Sequence, residues 1–133
     1  MRKILLLIML IVIAGVLLYQ RFDKREARKI NIIVITADQI FSEFEGDEIA
    51  ATKKFGNQEL VVTGIVKSVN NEQDEGRSVT LQVHSQKFGV ICRLDKSIGT
   101  GTSFTDGEEV KLRGICKGMM IDVVLINCVP ETE

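Results

Sequence analysis

The chain opens with an unbroken apolar run and only later changes to alternating patterns. From Ile4 to Tyr19 there are sixteen consecutive positions without a charge, with basic residues on both sides. A helix of that length reaches roughly 24 Å, slightly short of the ~30 Å hydrocarbon core of a bilayer, and Tyr19 at the interface and a snorkelling Arg21 would extend it. The run therefore predicts a single transmembrane helix, which we assign to residues 1–20.

A cleaved signal peptide is the alternative interpretation of this run. Cleavage needs small residues after the apolar segment, whereas Ala14 and Gly15 lie inside it and are followed by Val-Leu-Leu. The first cysteine is Cys92, so the segment also lacks the acylated cysteine of a lipoprotein signal. We interpret it as an uncleaved signal anchor that contacts the lipid bilayer through residues 4–19.

Charges around the span give opposite indications of membrane orientation. Five basic residues follow it within positions 21–29 and two precede it, which by the positive-inside rule favours a cytoplasmic domain. A very short basic N terminus before an apolar run is instead typical of secretory signals. We expect a single-pass protein of the inner (cytoplasmic) membrane with its soluble domain outside the cytoplasm. Residues 21–33 are predicted to be a charged linker, with binding to anionic headgroups as the alternative.

Residues 34–130 are predicted to form one domain that begins with an amphipathic helix. Thr36 and Gln39 have the spacing of a capping box, and Gly56 with Asn57 marks the helix end. One face at helical spacing is mostly apolar and comprises Ile40, Phe41, Phe44, Glu48 and Ala51. Acidic residues on the other faces complement the helix dipole as a solvated surface, and a metal site there is the less favoured alternative.

From Glu59 onward the pattern is typical of β-strands. The predicted strands cover residues 59–69, 78–85, 87–95, 110–116 and 120–128, the last two joined by a turn at Lys117-Gly118. In the third strand Phe88, Val90, Cys92 and Leu94 share the inward face. Five short strands with short connections indicate a small closed barrel.

Six short segments occur in a fixed order along this domain. They are "ADQIFSEF", "AATKKFGNQ", "LVVTGIVKSV", "FGVICRLD", "DGEEVKLRGICKG" and "DVVLINCV". Over residues 34–129 this order resembles the tRNA-anti-like family of OB-fold proteins. The resemblance implies a mainly β fold, a five-stranded OB barrel with an N-terminal amphipathic helix, here preceded by a transmembrane helix. Members of that family are bacterial lipoproteins or inner-membrane proteins, and their biochemical role is unassigned.

The three cysteines carry neither a redox motif nor a zinc signature, because no Cys-x-x-Cys occurs. In a regular hairpin Cys116 and Cys128 lie roughly 25 Å apart, too far for a disulfide. The OB topology that the resemblance implies makes the third and fifth barrel strands parallel and brings Cys92 and Cys128 toward the same end. We expect that pair to form a disulfide in an oxidising compartment, with buried free thiols as the alternative.

Charge and motifs limit the possible functions. Residues 31–133 carry ten basic and sixteen acidic side chains, a net charge of −6, whereas an OB domain for single strands needs a basic groove and stacking aromatics. The segment "GTGTS" (99–103) lacks the lysine of a phosphate-binding loop, and the single histidine accompanies no nucleophile motif. We therefore predict no enzyme activity, no metal and no cofactor, and nucleic acid is the less favoured partner.

The surface that OB folds commonly use lies on the second and third barrel strands. The predicted contact residues there and in the last turn are Arg77, His84, Lys87, Arg93 and Lys117. His84 alone is more typical of a strand rim than of a ligand site. The sequence thus predicts a binding module of the cell envelope that contacts a protein or another ligand. The alternative is a single-stranded nucleic-acid-binding OB domain that faces the cytoplasm.

Overall fold

The structure, a computed structural model, describes residues 1–23, 31–99 and 101–132. Its helices and strands are α1 (Arg2–Asp23), β1 (Ile33–Thr36), α2 (Ala37–Gly46), α3 (Glu48–Phe55), β2 (Glu59–Glu72), β3 (Gly76–Gln82), β4 (Gly89–Leu94), β5 (Glu109–Met119) and β6 (Val123–Pro130). The chain divides into two compact units, Met1–Ile30 and Asn31–Glu133.

The first unit contains one long apolar helix. α1 has 22 residues, and the stretch Arg2–Tyr19 has a mean hydropathy of 2.4 with its apolar side chains exposed. Within the described residues, α1 is the one helix long and apolar enough to cross a membrane. It continues three residues beyond the predicted span of 1–20. Most of the predicted linker, residues 24–30, lies outside the described residues.

The second unit is a closed barrel of five strands, as the sequence predicted. The sheet order is β1-β2-β3-β4-β6-β5, and β2 also pairs with β5 to close the barrel. β2 spans 14 residues, so its first half can pair with β5 while its second half pairs with β3. A bulge between Val66 and Ser68 separates the two halves and turns the strand. The pair β4–β6 is parallel, whereas the other barrel pairs are antiparallel.

β1 is a strand that the sequence analysis did not predict. It pairs in parallel with the start of β2, with Ile33 opposite Leu60 and Thr36 opposite Thr63, and it lies at one edge of the sheet. Four residues are too few for a clear alternation of apolar and polar positions. β1 is therefore a strand because it pairs with β2, which is distant from it in the sequence.

The predicted single helix between Thr36 and Gly56 is two helices. The capping box is confirmed: the Thr36 hydroxyl accepts a hydrogen bond from Gln39 N, and the Gln39 amide oxygen accepts one from Thr36 N, both 3.2 Å long. Asp47 has an extended backbone (φ −153°, ψ 94°), ends α2, and accepts a hydrogen bond from Ala50 N (3.0 Å) as the cap of α3. Aspartate is a favoured N-cap, so this second start had a signal in the sequence.

We predict that Thr36→Ala lowers the free energy of unfolding by about 1 kcal/mol, because the alanine leaves one N–H at the start of α2 without its side-chain acceptor. Thr36→Ser is the control, since it keeps the hydroxyl. Urea denaturation of residues 31–133 measures both variants. Equal stability of the alanine and serine variants would contradict a role for the cap.

The last hairpin turns at residues 120–122, later than the predicted Lys117-Gly118. Gly118 has a positive φ of 108°, but it lies at an irregularity of the β5–β6 ladder between Cys116 and Gly118 rather than in the turn. A glycine with positive φ serves either position, so the glycine signal alone could not separate a bulge from a turn. Lys117 consequently belongs to a strand.

One continuous core fills the barrel and joins it to α2 and α3. The largest fully buried side chains include Phe41, Phe44 and Phe55 from the two helices, and the rings of Phe44 and Phe55 lie 6.1 Å apart. Among the described residues, every fully buried apolar side chain lies between Ala37 and Cys128. Because the core of the described residues lies within residues 31–133, we expect this fragment to fold without α1.

Candidate binding site

A groove of about 560 Å³ lies beside the turn that joins β2 to β3, where β4 ends. We call it the basic groove. Its lining residues are Glu75, Gly76, Arg77, Arg93, Leu94, Asp95, Lys96, Ile98, Ile126 and Asn127. It contains three basic and two acidic side chains over an apolar floor, and it includes two of the five predicted contact residues, Arg77 and Arg93.

Arg93 is an exposed cation in the groove that a ligand can engage at little cost. The residue points outward from β4, whose neighbours Cys92 and Leu94 point into the core. One guanidinium nitrogen (Nη2) lies 2.8 Å from Glu75 Oε2, and the two side chains are 45% and 52% exposed. An exposed pair of this kind contributes about 0–1 kcal/mol to stability. A carboxylate or phosphate from a ligand can therefore replace Glu75 without disturbing the fold.

Arg77 has a different role, because its guanidinium is already bound to the protein. Its Nη1 donates hydrogen bonds to the carbonyl oxygens of Gly99 (3.2 Å) and Thr102 (3.0 Å), and its charge lies 5.9 Å from the centre of the Phe104 ring. These contacts hold the β4–β5 connection against the beginning of β3. Arg77 thus shapes one wall of the groove, and Arg93 supplies its accessible charge.

The sequence analysis missed two groove residues, Asp95 and Asn127, whose positions depend on backbone hydrogen bonds and backbone conformation. Asp95 donates its N–H to Cys128 O (2.9 Å), and its carboxylate accepts a hydrogen bond from Ser97 N (2.8 Å). Hydrogen bonds from the Ser97 side chain and backbone lower the pKa of Asp95, so it remains a carboxylate at neutral pH. Asn127 has a left-handed backbone (φ 52°) where the register of β4 and β6 shifts. Asparagine tolerates that conformation, but only the strand pairing shows that it is used here.

The side chains on the outer face of β3 and β4 next to the groove are mostly uncharged, and those of β3 are small. Ser78 and Thr80 of β3 stand opposite Arg93 and Ile91 of β4. Neither the lining of the groove nor this neighbouring face includes an aromatic side chain among the described residues. Phe88 instead stacks on Phe41 with 6.2 Å between ring centres. The face therefore offers no platform for stacking nucleic-acid bases.

His84 lies at the other end of the barrel and fastens α2 to the residues after β3. Its backbone N–H donates to Asp38 Oδ1 (2.6 Å), and its ring Nε2 lies 3.2 Å from Glu45 Oε2. The ring also meets the edge of Phe41, with 5.4 Å between centres. The structure thus gives His84 contacts within the fold that the sequence could not show, because Asp38 and Glu45 are about forty residues distant in sequence.

Lys87 and Lys117 are also remote from the basic groove. Lys87 is exposed in the connection between β3 and β4, at the end of β4 opposite the groove. Lys117 lies near the end of β5, and its Nζ donates to Asn57 Oδ1 (3.1 Å). The structure therefore brings together Arg77 and Arg93 of the five predicted contact residues and separates the other three from them.

The three cysteines are buried free thiols in the structure, the alternative that the sequence analysis had left open. Cys92 and Cys128 hydrogen-bond through their side chains, and this contact, followed by burial, raises the pKa of Cys92 well above its ordinary value. Burial also raises the pKa of Cys116. Cys92 pairs with Leu125 and Leu94 with Cys128, so the two thiols are diagonal neighbours on parallel strands. Because the two side chains are already in contact, Cys92 and Cys128 are the pair that an oxidant would bridge.

The Cys92–Cys128 disulfide remains a prediction, and thiol counting tests it. We expect the native reduced protein to resist iodoacetamide at neutral pH, because all three thiols are buried and the pKa values of Cys92 and Cys116 are raised. After denaturation, mass spectrometry should show three labels on reduced protein and one label, on Cys116, for protein isolated from an oxidising compartment. Three labels on both samples would leave the thiols as packing residues only.

No group of three or more histidine, cysteine or acidic side chains that could hold a metal ion occurs within the described ranges. The close carboxylates of Asp38 and Glu45 approach opposite nitrogens of His84 and so do not converge on one point. The charged side chains that line the basic groove can offer ion pairs and hydrogen bonds to a ligand.

Comparisons with known proteins agree with this barrel. A crystal structure described as a "putative nucleic acid-binding lipoprotein" from Klebsiella pneumoniae superposes with a TM-score of 0.57 at 12% identity, covering 75% of this chain and 92% of that chain. At such low identity the similarity shows the fold alone. The search of curated proteins gives no match. The tRNA_anti-like family model matches residues 1–129, which is nearly the whole chain. The protein therefore belongs to the tRNA_anti-like family.

Proposed function

We propose that this protein is a membrane-anchored binding module of the bacterial cell envelope that holds an acidic segment of a partner protein in the basic groove. The observation that carries the proposal is the exposed Arg93–Glu75 pair beside Arg77 and Lys96. A partner carboxylate that replaces Glu75 gains a charged hydrogen bond to Arg93, and the apolar floor contributes contact area. Ile98 and Ile126 belong to that floor.

The anchor in this proposal is α1. Its uncharged run from Ile4 to Tyr19 reaches roughly 24 Å as a helix, close to the thickness of a bilayer core, and the apolar side chains of that run are exposed. We place it in the inner membrane with the barrel outside the cytoplasm, because the short basic N terminus is typical of secreted chains. The basic residues after the span are the opposing argument, and labelling in intact cells of a cysteine introduced at Ile49, which is 73% exposed, decides between the two orientations.

Charge reversal at Arg93 tests the groove. We expect Arg93→Glu to reduce capture of the native partner by full-length protein in nanodiscs at least tenfold, since it replaces attraction by repulsion and removes the Glu75 pair. Lys54→Glu is the matched control: Lys54 is also exposed and paired with a glutamate, Glu43 at 3.0 Å, but lies on α3 away from the groove. Partners recovered equally with both variants would contradict the proposal.

Binding of single-stranded nucleic acid is the second candidate, and the description of the Klebsiella protein motivates it. It requires the barrel to face the cytoplasm. The net charge of −6 in residues 31–133 and the lack of stacking rings along the groove argue against it. Gel shifts with residues 31–133 at low salt test it, and a complex that dissociates as salt is raised would support this alternative over a protein ligand.

A catalytic role receives no support from the groove. Asp95, Arg93 and Arg77 are bound to Ser97, Glu75 and loop carbonyls, respectively, and no nucleophile with an adjacent base lies among the described lining residues of the groove. The OB fold of this family is a binding domain. We therefore propose binding without chemistry, and without a cofactor.

A further inference from the structure

β1 leaves one side of the sheet open. In the part of the chain that the structure describes, β1 pairs with β2 alone, whereas each of the other strands pairs with at least two neighbours. An edge strand presents a row of unpaired N–H and C=O groups to its surroundings. The N–H of Thr36 is bound by the Gln39 side chain (3.2 Å), so the open part of the strand is residues 33–35. We call these residues the open edge.

The open edge lacks the residues with which natural proteins protect an edge from other strands. Lysine, proline and bulges are the common protections. Residues 31–37, Asn-Ile-Ile-Val-Ile-Thr-Ala, contain neither a charge nor a proline, and β1 pairs with β2 without a register shift. Val34 is 70% exposed and Ile32 is 38% exposed. A regular apolar edge of this kind is a template for another strand, and its length of four residues makes the pairing reversible.

A second groove, of about 570 Å³, lies beside the open edge and provides space for another strand. Residues 33–35 form one side of this edge groove. Its lining residues from α2 and α3 are Asp38, Gln39, Ser42, Glu43, Lys54 and Phe55. Successive side chains of a strand point to opposite faces, so a groove lined by three consecutive strand residues runs along the edge of β1. A strand that pairs with β1 therefore enters the edge groove.

β1 is complementary to a second copy of itself. In an antiparallel pair of two identical strands, a register centred on Val34 places Val34 opposite Val34 of the second copy and Ile33 opposite Ile35. Ile33 and Ile35 are half-buried against the core and Val34 is on the outer face, so this register sets inner residues against inner ones and outer against outer. Every pair joins two β-branched side chains, which are favoured in strands. Two-fold symmetry makes the contact identical for both copies, so it closes as a dimer.

The lining of the edge groove is acidic. Its charged side chains are Asp38, Glu43 and Lys54, two acidic and one basic. Lys54 forms an ion pair with Glu43 (3.0 Å), and the Asp38 carboxylate accepts the backbone N–H of His84 (2.6 Å) with the His84 ring beside it. The side chains of Glu43 and Asp38 are 46% and 60% exposed, so both can still attract a positive charge that enters the edge groove.

A second copy brings positive charge to these acids. In the register centred on Val34, Asn31 of one copy stands opposite Ala37 of the other, the residue before Asp38. The sequence that precedes Asn31 is basic, because residues 21–30 carry five basic and two acidic side chains. Antiparallel pairing thus directs a basic stretch of each copy toward the acidic side of the other copy's edge groove. Complementary charge of this kind fixes register and favours this occupant over an uncharged strand.

We propose that the open edge is the interface of a homodimer, in which β1 of a second copy pairs antiparallel with β1 and joins the two sheets. This dimer does not depend on the ligand of the basic groove. β1 lies beside residues 60–63 of β2, whereas the basic groove lies beside the turn after Glu72, so the dimer leaves both basic grooves open. Two open grooves allow bivalent binding of a partner, which raises avidity without a new contact.

A cysteine at the centre of the interface tests the pairing. Full-length Val34→Cys protein in detergent micelles is oxidised with copper phenanthroline, and covalent dimer is measured on a non-reducing gel. Directly opposite residues of an antiparallel pair have Cα atoms about 4.5–5.5 Å apart, within the range of a disulfide, so position 34 should link to position 34 of the second copy. The native cysteines are 0% exposed, so a covalent dimer reports the new thiol.

The matched control is Ile49→Cys. Ile49 is 73% exposed against 70% for Val34, but it belongs to α3 and does not line the edge groove. We expect about fivefold more covalent dimer from Val34→Cys than from Ile49→Cys, since only position 34 is held opposite itself. Equal yields from the two variants would overturn the proposal, because random collision or association through α1 would then account for the links.

A charge on the open edge gives an independent test. Val34→Lys sets two like charges opposite each other, and lysine on an edge opposes the addition of a strand. Sedimentation of the full-length chain in detergent should show a dimer for the unsubstituted protein and for Ile49→Lys, and a monomer for Val34→Lys. Because Val34 is largely exposed, Val34→Lys should keep the native circular dichroism; if it does not, the cysteine cross-link decides. A Val34→Lys protein as dimeric as the unsubstituted one would overturn the proposal.

Oxidation in native membranes separates a second copy from a different strand. A link from position 34 to another protein, with no homodimer, would overturn the proposal and assign the open edge to a strand of that protein. The capture experiment at Arg93 uses a surface beyond the far end of β2, so failure of the dimer and failure of the basic groove are observed separately.

Discussion

Replacing Phe55 with alanine is expected to lower the free energy of unfolding of residues 31–133 by about 3–5 kcal/mol. Phe55 is 0% exposed, ends α3, and lies next to Phe44 in the layer between the helices and the barrel. α3 has only eight residues, and its two buried side chains are Ala51 and Phe55. A helix this short depends on packing for its stability, so the loss of Phe55 should also loosen the helix.

The control for Phe55→Ala is Ile49→Ala on the same helix. Ile49 is 73% exposed, so its truncation should change stability by less than about 0.5 kcal/mol. Urea denaturation followed by far-ultraviolet circular dichroism measures both variants. Similar losses in the two variants would mean that α3 is not held to the barrel by Phe55.

The second large effect is expected at Gly114 on β5. A Cβ atom there would lie 2.5 Å from Cys128 Sγ and 3.0 Å from Ile126 O. Both neighbours belong to the adjacent β6, and Cys128 is fully buried, so neither can move away easily. Overpacking of this kind costs typically about 1–3 kcal/mol, and we expect Gly114→Ala to lie in the upper part of that range.

A double variant identifies the cause of this loss. Cys128→Ala removes the sulfur that a Cβ at position 114 would meet, so Gly114→Ala with Cys128→Ala should be less destabilised than the sum of the single variants by about 1 kcal/mol. Gly46→Ala is the control glycine, since nothing lies within 4 Å of a Cβ built there. Additive losses in the double variant would mean that the Ile126 carbonyl, and not the thiol, excludes a side chain at Gly114.

This pair also gives the cysteines a structural context. The Cys128 thiol occupies the space that Gly114 leaves open, and it contacts Cys92 across the parallel β4–β6 pair that helps to close the barrel. Asp95 of the basic groove donates its backbone N–H to the Cys128 carbonyl oxygen. A change at Cys128 or Gly114 is therefore expected to reach the β4–β6 pair next to the groove, whether the thiols are oxidised or reduced. Thiol counting and the Gly114 variants thus probe the same part of the fold.

The candidate site could be predicted from the sequence only in part. Arg77 and Arg93 were identified because the OB resemblance indicated the second and third barrel strands, and both line the basic groove. Asp95 and Asn127 were missed. Asp95 is positioned by its hydrogen bond to Cys128 of β6, and Asn127 by its left-handed backbone where the β4–β6 register shifts. Lys117 was placed in a turn because a glycine follows it, although that glycine belongs to a strand irregularity.

The sequence by itself determined the elements whose causes are local. The apolar run of α1, the Thr36 capping box and the alternation in the barrel strands each depend on residues within a few positions of one another, and each is present in the structure. Only the tertiary structure decided which residues meet across long separations: β1 on β2, His84 between Asp38 and Glu45, and Arg77 on the carbonyls near Gly99. The physical reason is that hydrogen bonds and ion pairs between distant segments form only after the barrel closes and fixes the register, and no local pattern records that register.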